Sequence, residues 1–193
     1  MTNKNYLKIR YLSEYDEMTG VLNRRAGIEK LEAYFNQKDR ALYPISLCYL
    51  DINGLKEVND RLGHSAGDQL LIKSIDIIQS VIRRDDFVIR LGGDEFLIVF
   101  LSSGEEVTEI VWERILVKIN AVNRCEALPY LISISHGVVE IEGHRQTVDE
   151  LIKEADEKMY EEKKKIKSSL KVIQVVGNTP KLCDCLKEEG SLF

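Results

Sequence analysis

The chain has 193 residues, 44% hydrophobic and 31% charged, with 27 Lys plus Arg against 32 Asp plus Glu and a formal net charge of −5. A single domain of this length removes roughly 70% of its unfolded surface from water, so a core needs no disulfide or metal staple. Three prolines and twelve glycines exclude a collagen-like or proline-rich chain, and the acidic balance argues against coating nucleic acid, where affinity rests on basic contacts to phosphate. The longest clean apolar run, Phe96 to Leu101, is far short of the roughly 18 residues of a membrane helix. The first residues lack a hydrophobic segment followed by a small-residue cleavage site, so the expected location is the cytoplasm, with no membrane segment in this chain. Cys48, Cys125, Cys183 and Cys185 lack the spacing of a disulfide framework or a zinc site and read as reduced thiols.

In chain order, Leu7, Tyr11, Leu12 and Tyr15 predict a helix over 5–17, ending at the turn Thr19-Gly20. A second helix is predicted over 24–37, with Ile28, Leu31 and Phe35 on one face. Residues 45–52 form a continuous β-rich apolar run, the pattern of a strand buried on both faces. Ser65-Ala66-Gly67-Asp68 reads as a helix start leading to Leu71, Ile75, Ile78 and Ile82 at helical spacing. Residues 87–91 and 96–101 read as strands of a hairpin closed by Gly92-Gly93-Asp94-Glu95. A helix over 105–122 and a strand over 131–141 follow. Thr147-Val148-Asp149-Glu150 is a capping box opening a helix with Val148, Ile152, Ala155 and Met159 inward. A last strand is predicted over 172–176, before the turn at 177–180. Helices alternate with strands, but a hairpin requires antiparallel neighbours, so the expected class is a layered α/β (α+β) sheet that is not purely parallel.

Polar chemistry gathers where the strands give out. Asp51 ends the buried strand and Asp94-Glu95 lies in the glycine hairpin. If the two segments are neighbours, their carboxylates make an oxygen-rich site suited to Mg²⁺ and a phosphorylated substrate. Alone, Asp51 reads equally as a helix N-cap and Asp94 as a turn residue. Gly54-Leu55-Lys56 opens a helix whose N–H groups and ammonium can receive phosphates. Asn59 and Asp68 offer the donors and acceptors of a base edge, although Asp68 by itself reads first as a first-turn carboxylate favoured by the helix dipole. The run Lys163, Lys164, Lys165, Lys167 and Lys171 is a solvated helix end or a counter-charge for a polyphosphate. His64 and His136 read as packed or loop histidines.

The segment Arg90-Leu91-Gly92-Gly93-Asp94-Glu95-Phe96 contains the letters GGDEF, and the chain resembles the GGDEF-domain diguanylate cyclases. Asp16 through Arg25 resembles that family's opening motif, with Met18 and Val21 where leucines are usual. The segments 51–60, 63–68, Ser135-His136-Gly137-Val138 and Ala155-Asp156 through Lys163 resemble its later motifs, in the same order over residues 16–168. The resemblance implies a central, mostly antiparallel sheet wrapped by helices, related to nucleotidyl cyclases and polymerase palms. It implies condensation of two GTP into cyclic di-GMP with loss of two pyrophosphates.

Carried over by position, Asp51, the Ile52 carbonyl and Asp94 would hold Mg²⁺, with Mn²⁺ as an alternative, and Asp94, Glu95 and Lys56 would serve catalysis. Gly54, Leu55, Lys56 and Lys163 would hold phosphates, Asn59 and Asp68 would read guanine, and Gly92 and Gly93 would let the backbone pass close to the nucleotide. Arg83 and Asp86 would form an inhibitory site for the product, where their spacing alone suggests a charged turn. Two departures stand out: Asn53 replaces a commoner Asp, and Ile166-Lys167-Ser168 replaces a Gly-Arg-Asn ending, which shifts a phosphate contact onto Lys167. One GTP per domain implies a homodimer. The expected division is a linker helix at 1–15, a catalytic domain at 16–176 and a tail at 177–193. The alternatives are a non-catalytic receptor for GTP or cyclic di-GMP acting through a partner protein, and a general Mg-dependent phosphohydrolase.

Overall fold

A computed structural model describes residues 13–36, 44–141 and 147–167. The elements are β1 (Leu22–Asn23), α1 (Arg24–Phe35), β2 (Ile45–Ile52), α2 (Leu55–Leu62), α3 (His64–Gln79), β3 (Phe87–Gly92), β4 (Glu95–Leu101), α4 (Glu105–Cys125), β5 (Ile134–Glu140) and α5 (Val148–Lys167). The strands form one mixed sheet in the order β1-β3-β4-β2-β5. The short β1 runs parallel to β3, and the other pairings are antiparallel, as expected for a mostly antiparallel sheet.

All eight residues of β2 are buried, because helices cover both faces of the sheet. Cys48, Leu50 and Ile52 join a core with Val58, Leu70, Ile75, Ile78, Trp112 and Ile115 under α2 to α4. Ile45, Leu47 and Tyr49 point the other way, into a core with Leu31 of α1 and Leu151, Ala155 and Met159 of α5. The two-residue period of a strand produces this division, and it fixes the site: Asp51 shares the parity of Tyr49 and so points toward the α5 layer. The helix ends follow local chemistry. Asn23 caps α1 by accepting from the Ala26 N–H at 3.0 Å, and the Thr147–Glu150 capping box forms reciprocally, at 3.2 Å from the Glu150 N–H to Thr147 Oγ1 and 2.7 Å from the Thr147 N–H to Glu150 Oε2.

Several expected boundaries shift, each for a local reason. The first helix, expected to run to 17, stops before Tyr15, which bridges to Leu22; Asp16 instead closes a turn by accepting from the Thr19 N–H at 2.9 Å. Residues 5–12 and the expected strand at 172–176 lie outside the described residues. The helix α3 starts at His64 behind Gly63, which supplies no side-chain cap, rather than at Ser65. It ends before Ile82, where the Ser80 hydroxyl bonds to the Ile77 carbonyl. The strand β5 is shorter than 131–141 because the Asn123 amide takes both backbone groups of Ile132, at 2.8 Å each. Cys48 is a buried free thiol, as expected, and Cys183 and Cys185 lie outside the described residues. Among the described residues no helix is long and apolar enough to cross a membrane.

Candidate active site

Antiparallel pairing of β2 with β4 sets Asp51 directly opposite Glu95, and the Ile52 N–H continues the ladder by donating to the Asp94 carbonyl at 3.0 Å. The end of the central strand is thereby tied to the hairpin turn. In that turn Gly93 has φ 52°, a left-handed conformation that glycine adopts without a Cβ penalty. The structure brings Asp51, Glu95 and Asp94 into one electrostatic neighbourhood, and Asp156 of α5 joins them.

Asp51 is 5% exposed. Its Oδ2 accepts from Lys163 Nζ at 2.5 Å, and its Oδ1 is buried with no partner. Burial is the largest influence on this carboxyl and raises its pKa; the Lys163 bond opposes it, the Asp94 charge adds to it, and the net shift is upward. The alternative reading of Asp51 as a helix N-cap fails, because the N-cap of α2 is Gly54, at φ 79° and without a side-chain cap bond. Burial likewise raises the Glu95 carboxyl, helped by Asp94, Asp156 and Asp51, while a hydrogen bond from Tyr49 holds it back.

A buried carboxylate oxygen without a donor fits a cation better than it fits solvent or another acceptor. Among the described residues no group of three His, Cys, Asp or Glu side chains is placed to hold a metal. A Mg²⁺ site needs fewer, since one or two carboxylates plus substrate oxygens suffice. The orphaned Asp51 Oδ1, with the Asp94 charge near it, therefore suits a divalent cation.

Around this centre, Gly54 and Leu55 are half-buried and Lys56 is exposed at the opening turn of α2. Asn59 lies against the start of α3: a Cβ on Gly67 would come 2.0 Å from its Oδ1, so only glycine leaves room for the amide beside the exposed Asp68. Asp68 is the fifth residue of α3, and the first turn holds no acid, which removes the dipole explanation for it. Lys163 reaches Asp51 from α5. The Lys167 side chain lies outside the described residues. Arg83 and Asp86 sit apart, between α3 and β3. Asp86 is buried and accepts from the N–H groups of Arg83 and Leu101, each at 3.0 Å, while the exposed Arg83 lines a cavity of about 420 Å³ with Lys30, Tyr34, Arg84 and Leu101.

Two residues near Asp51, Tyr49 and Asp156, have no local signature that marks them for this neighbourhood. Tyr49 looked like one more apolar strand residue, yet its position two before Asp51 placed it on the same face. Asp156 belongs to the motif from Ala155 through Lys163, but nothing local shows that a helix a hundred residues downstream faces the end of β2. His136 is packed as expected, stacked on Trp112 with ring centroids 4.3 Å apart.

A mixed α+β sheet with a carboxylate cluster where its central strand meets a glycine hairpin defines the class of this protein. The sequence model described as diguanylate cyclase, GGDEF domain, matches residues 13–169, and the chain belongs to the GGDEF-domain family. It is 33% identical over 150 residues to the diguanylate cyclase DgcP of Escherichia coli, covering 77% of this chain and 44% of that protein. It is 31% identical over 153 residues to the cyclic di-GMP phosphodiesterase PdeR of the same organism, covering 79% of this chain and 23% of that one. The chain thus spans less than half the length of either relative. Among solved structures, the GGDEF domain of DgcB from Caulobacter crescentus in complex with c-di-GMP superimposes with a TM-score of 0.70 at 27% identity, covering 79% of this chain and 88% of that one.

Proposed function

We propose that this domain is a diguanylate cyclase that condenses two GTP into cyclic di-GMP and releases two pyrophosphates. The observation that carries the reading is the buried, half-unpaired Asp51 carboxylate held by strand register against the Asp94-Glu95 turn. The family and the name of DgcP support the substrate and product.

In this reading Asp51, Asp94 and the Ile52 carbonyl hold Mg²⁺ or Mn²⁺. When bound, the cation neutralises triphosphate charge and lowers the pKa of the attacking 3′-hydroxyl. The backbone at Gly54 and Leu55, together with Lys56, receives phosphates at the α2 N-terminus, and Lys163 and Lys167 meet the outer ones. Gly92 and Gly93 let the turn approach the nucleotide. Asp68 accepts from the guanine N1–H and exocyclic amine, and Asn59 completes the base edge. The 3′-oxygen bonds to the α-phosphorus of the second GTP as the bond to the pyrophosphate oxygen breaks. Glu95, whose pKa burial and neighbouring acids raise, takes up the hydroxyl proton. Each domain holds one GTP, so two copies face each other as a homodimer. The cavity beside Arg83 and Asp86 is the site of product inhibition. The division into linker helix, catalytic domain and tail is part of this proposal.

The test is incubation of the purified protein with GTP and Mg²⁺, following cyclic di-GMP by chromatography. Product formation that stops in Asp94→Ala supports the enzyme. A folded protein that binds GTP and forms no product establishes the non-catalytic receptor instead.

A further inference from the structure

We propose that His136 is a positioning residue for Lys163 and acts through Glu162. The inference rests on the reading above, in which Lys163 meets the outer phosphates of GTP.

The helix α5 comes into backbone contact with β5 at Gly137. A Cβ on Gly137 would come 2.2 Å from the Ala155 carbonyl oxygen and 2.3 Å from the Met159 nitrogen, so helix and strand touch main chain to main chain there. Lys158 fastens the same region by donating to the Val138 carbonyl at 2.8 Å and to Glu105 at 3.1 Å. Lys163 lies one turn beyond Met159. Between them is Glu162, whose Oε2 accepts from the His136 backbone N–H and lies 2.9 Å from His136 Nδ1. One carboxylate oxygen thus joins the residue next to Lys163 to both the main chain and the side chain of β5.

The imidazole is itself fixed. Its ring stacks on Trp112, its Nε2 lies 3.3 Å from Glu109 Oε2 of α4, and its side chain is only 15% exposed. Glu109 and Glu162 are the acids facing it from α4 and α5, and Cys48 of β2 senses both charges. A side chain held on one side by stacking and on both nitrogens by carboxylates has little rotamer freedom left. That rigidity passes to Glu162 and, through the peptide bond, to Lys163. The Lys163 stem therefore starts from a set place, from which its Nζ reaches Asp51 at 2.5 Å, and preorganised supports of this kind are what hold a binding group within reach of its target.

The experiment uses Mg²⁺ with 3′-deoxy-GTP, which lacks the attacking hydroxyl and so reports binding without turnover, and GMP, which lacks the outer phosphates. Calorimetry on wild type, His136→Leu, Glu162→Ala, Lys163→Ala and the double variant His136→Leu/Lys163→Ala reads the split between the two ligands. We expect His136→Leu and Glu162→Ala each to weaken 3′-deoxy-GTP by about tenfold, or about 1.4 kcal/mol, and to leave GMP unchanged. The double variant is expected to lose no more than Lys163→Ala alone, because both act on one contact. Glu162 is partly exposed, at 31%, and lies outside both apolar cores, so its variant stands if His136→Leu fails to fold. An equal loss for both ligands, or full additivity in the double variant, overturns the proposal and leaves Lys163 its phosphate role. An unchanged 3′-deoxy-GTP affinity in Lys163→Ala overturns that role and this inference with it.

Discussion

Arg90 links two segments that the sequence keeps 74 positions apart: its Nη1 donates to both oxygens of Asp16 at 2.9 and 3.0 Å, while Nη2 donates to the Gly93 carbonyl at 2.9 Å. The loop before β1 and the turn carrying Asp94 are therefore bound to one guanidinium.

Both partners of this pair are largely buried, with side chains 14% and 21% exposed. Breaking it leaves the Asp16 charge supported by Thr19 alone, so Arg90→Ala is expected to cost about 1–3 kcal/mol in urea unfolding. Burial alone would raise the Asp16 carboxyl; its bonds from Thr19 and Arg90 outweigh that and lower it net below 3.8. A lowered acid contributes stability above its unfolded pKa and loses it as pH falls through the folded one. Wild type should thus lose stability more steeply than Asp16→Asn below about pH 4, and parallel acid curves would remove the pair from the account.

At Asp51 the sign is reversed. Its carboxyl is raised, by burial first, so ionising it opposes folding of the metal-free protein as pH rises past the ordinary value. Asp51→Asn is expected to be at least as stable as wild type at pH 7 without metal. Saturating Mg²⁺ should stabilise wild type by about 1–3 kcal/mol and leave the variant unmoved. Equal stabilisation of both in thermal melts would place the cation elsewhere.

Gly67→Ala tests the base edge without touching a proposed contact. The added methyl meets Asn59 Oδ1, the end of a flexible side chain, so the helix should persist while the amide is displaced. The preference for GTP over ATP is expected to fall by about tenfold, the scale of one lost hydrogen bond. Retained preference would show that Asn59 does not read the base.

For His136, burial lowers the pKa, but the bonds to Glu162 and then Glu109 outweigh it, and the net shift is above 6.5. A raised base contributes stability in full below its unfolded pKa and loses it as pH climbs through the folded one. Wild type should therefore lose stability relative to His136→Leu as pH rises from 6.5 upward. A difference that stays flat with pH would mean that the imidazole charge does not matter here.

Arg83→Ala should relieve inhibition by accumulated cyclic di-GMP while leaving the initial rate on GTP unchanged. Asp86 would be a poorer choice for this test, because it holds two backbone N–H groups and its loss would disturb the turn. Inhibition that persists in Arg83→Ala would assign the cavity another occupant.

What could be read from the sequence depended on short range. Strand β2, the glycine hairpin and the Thr147 capping box each follow from residues within ten positions of one another, because periodicity, turn geometry and capping are local physics. The motif order carried the family and the candidate carboxylates Asp51 and Asp94. Several choices between readings were decided by the fold alone. Asp51 is not an N-cap because Gly54 holds that place. Asp68 is not a first-turn acid because α3 begins earlier than Ser65 predicts. Asp156, Tyr49 and Glu95 meet because strand parity and the packing of α5 bring them to one face. The pairs Arg90–Asp16 and His136–Glu162 join positions 74 and 26 apart. Such contacts have no local signature: each side chain alone is an ordinary surface charge, and only burial at the end of a shared sheet gives the pair its strength.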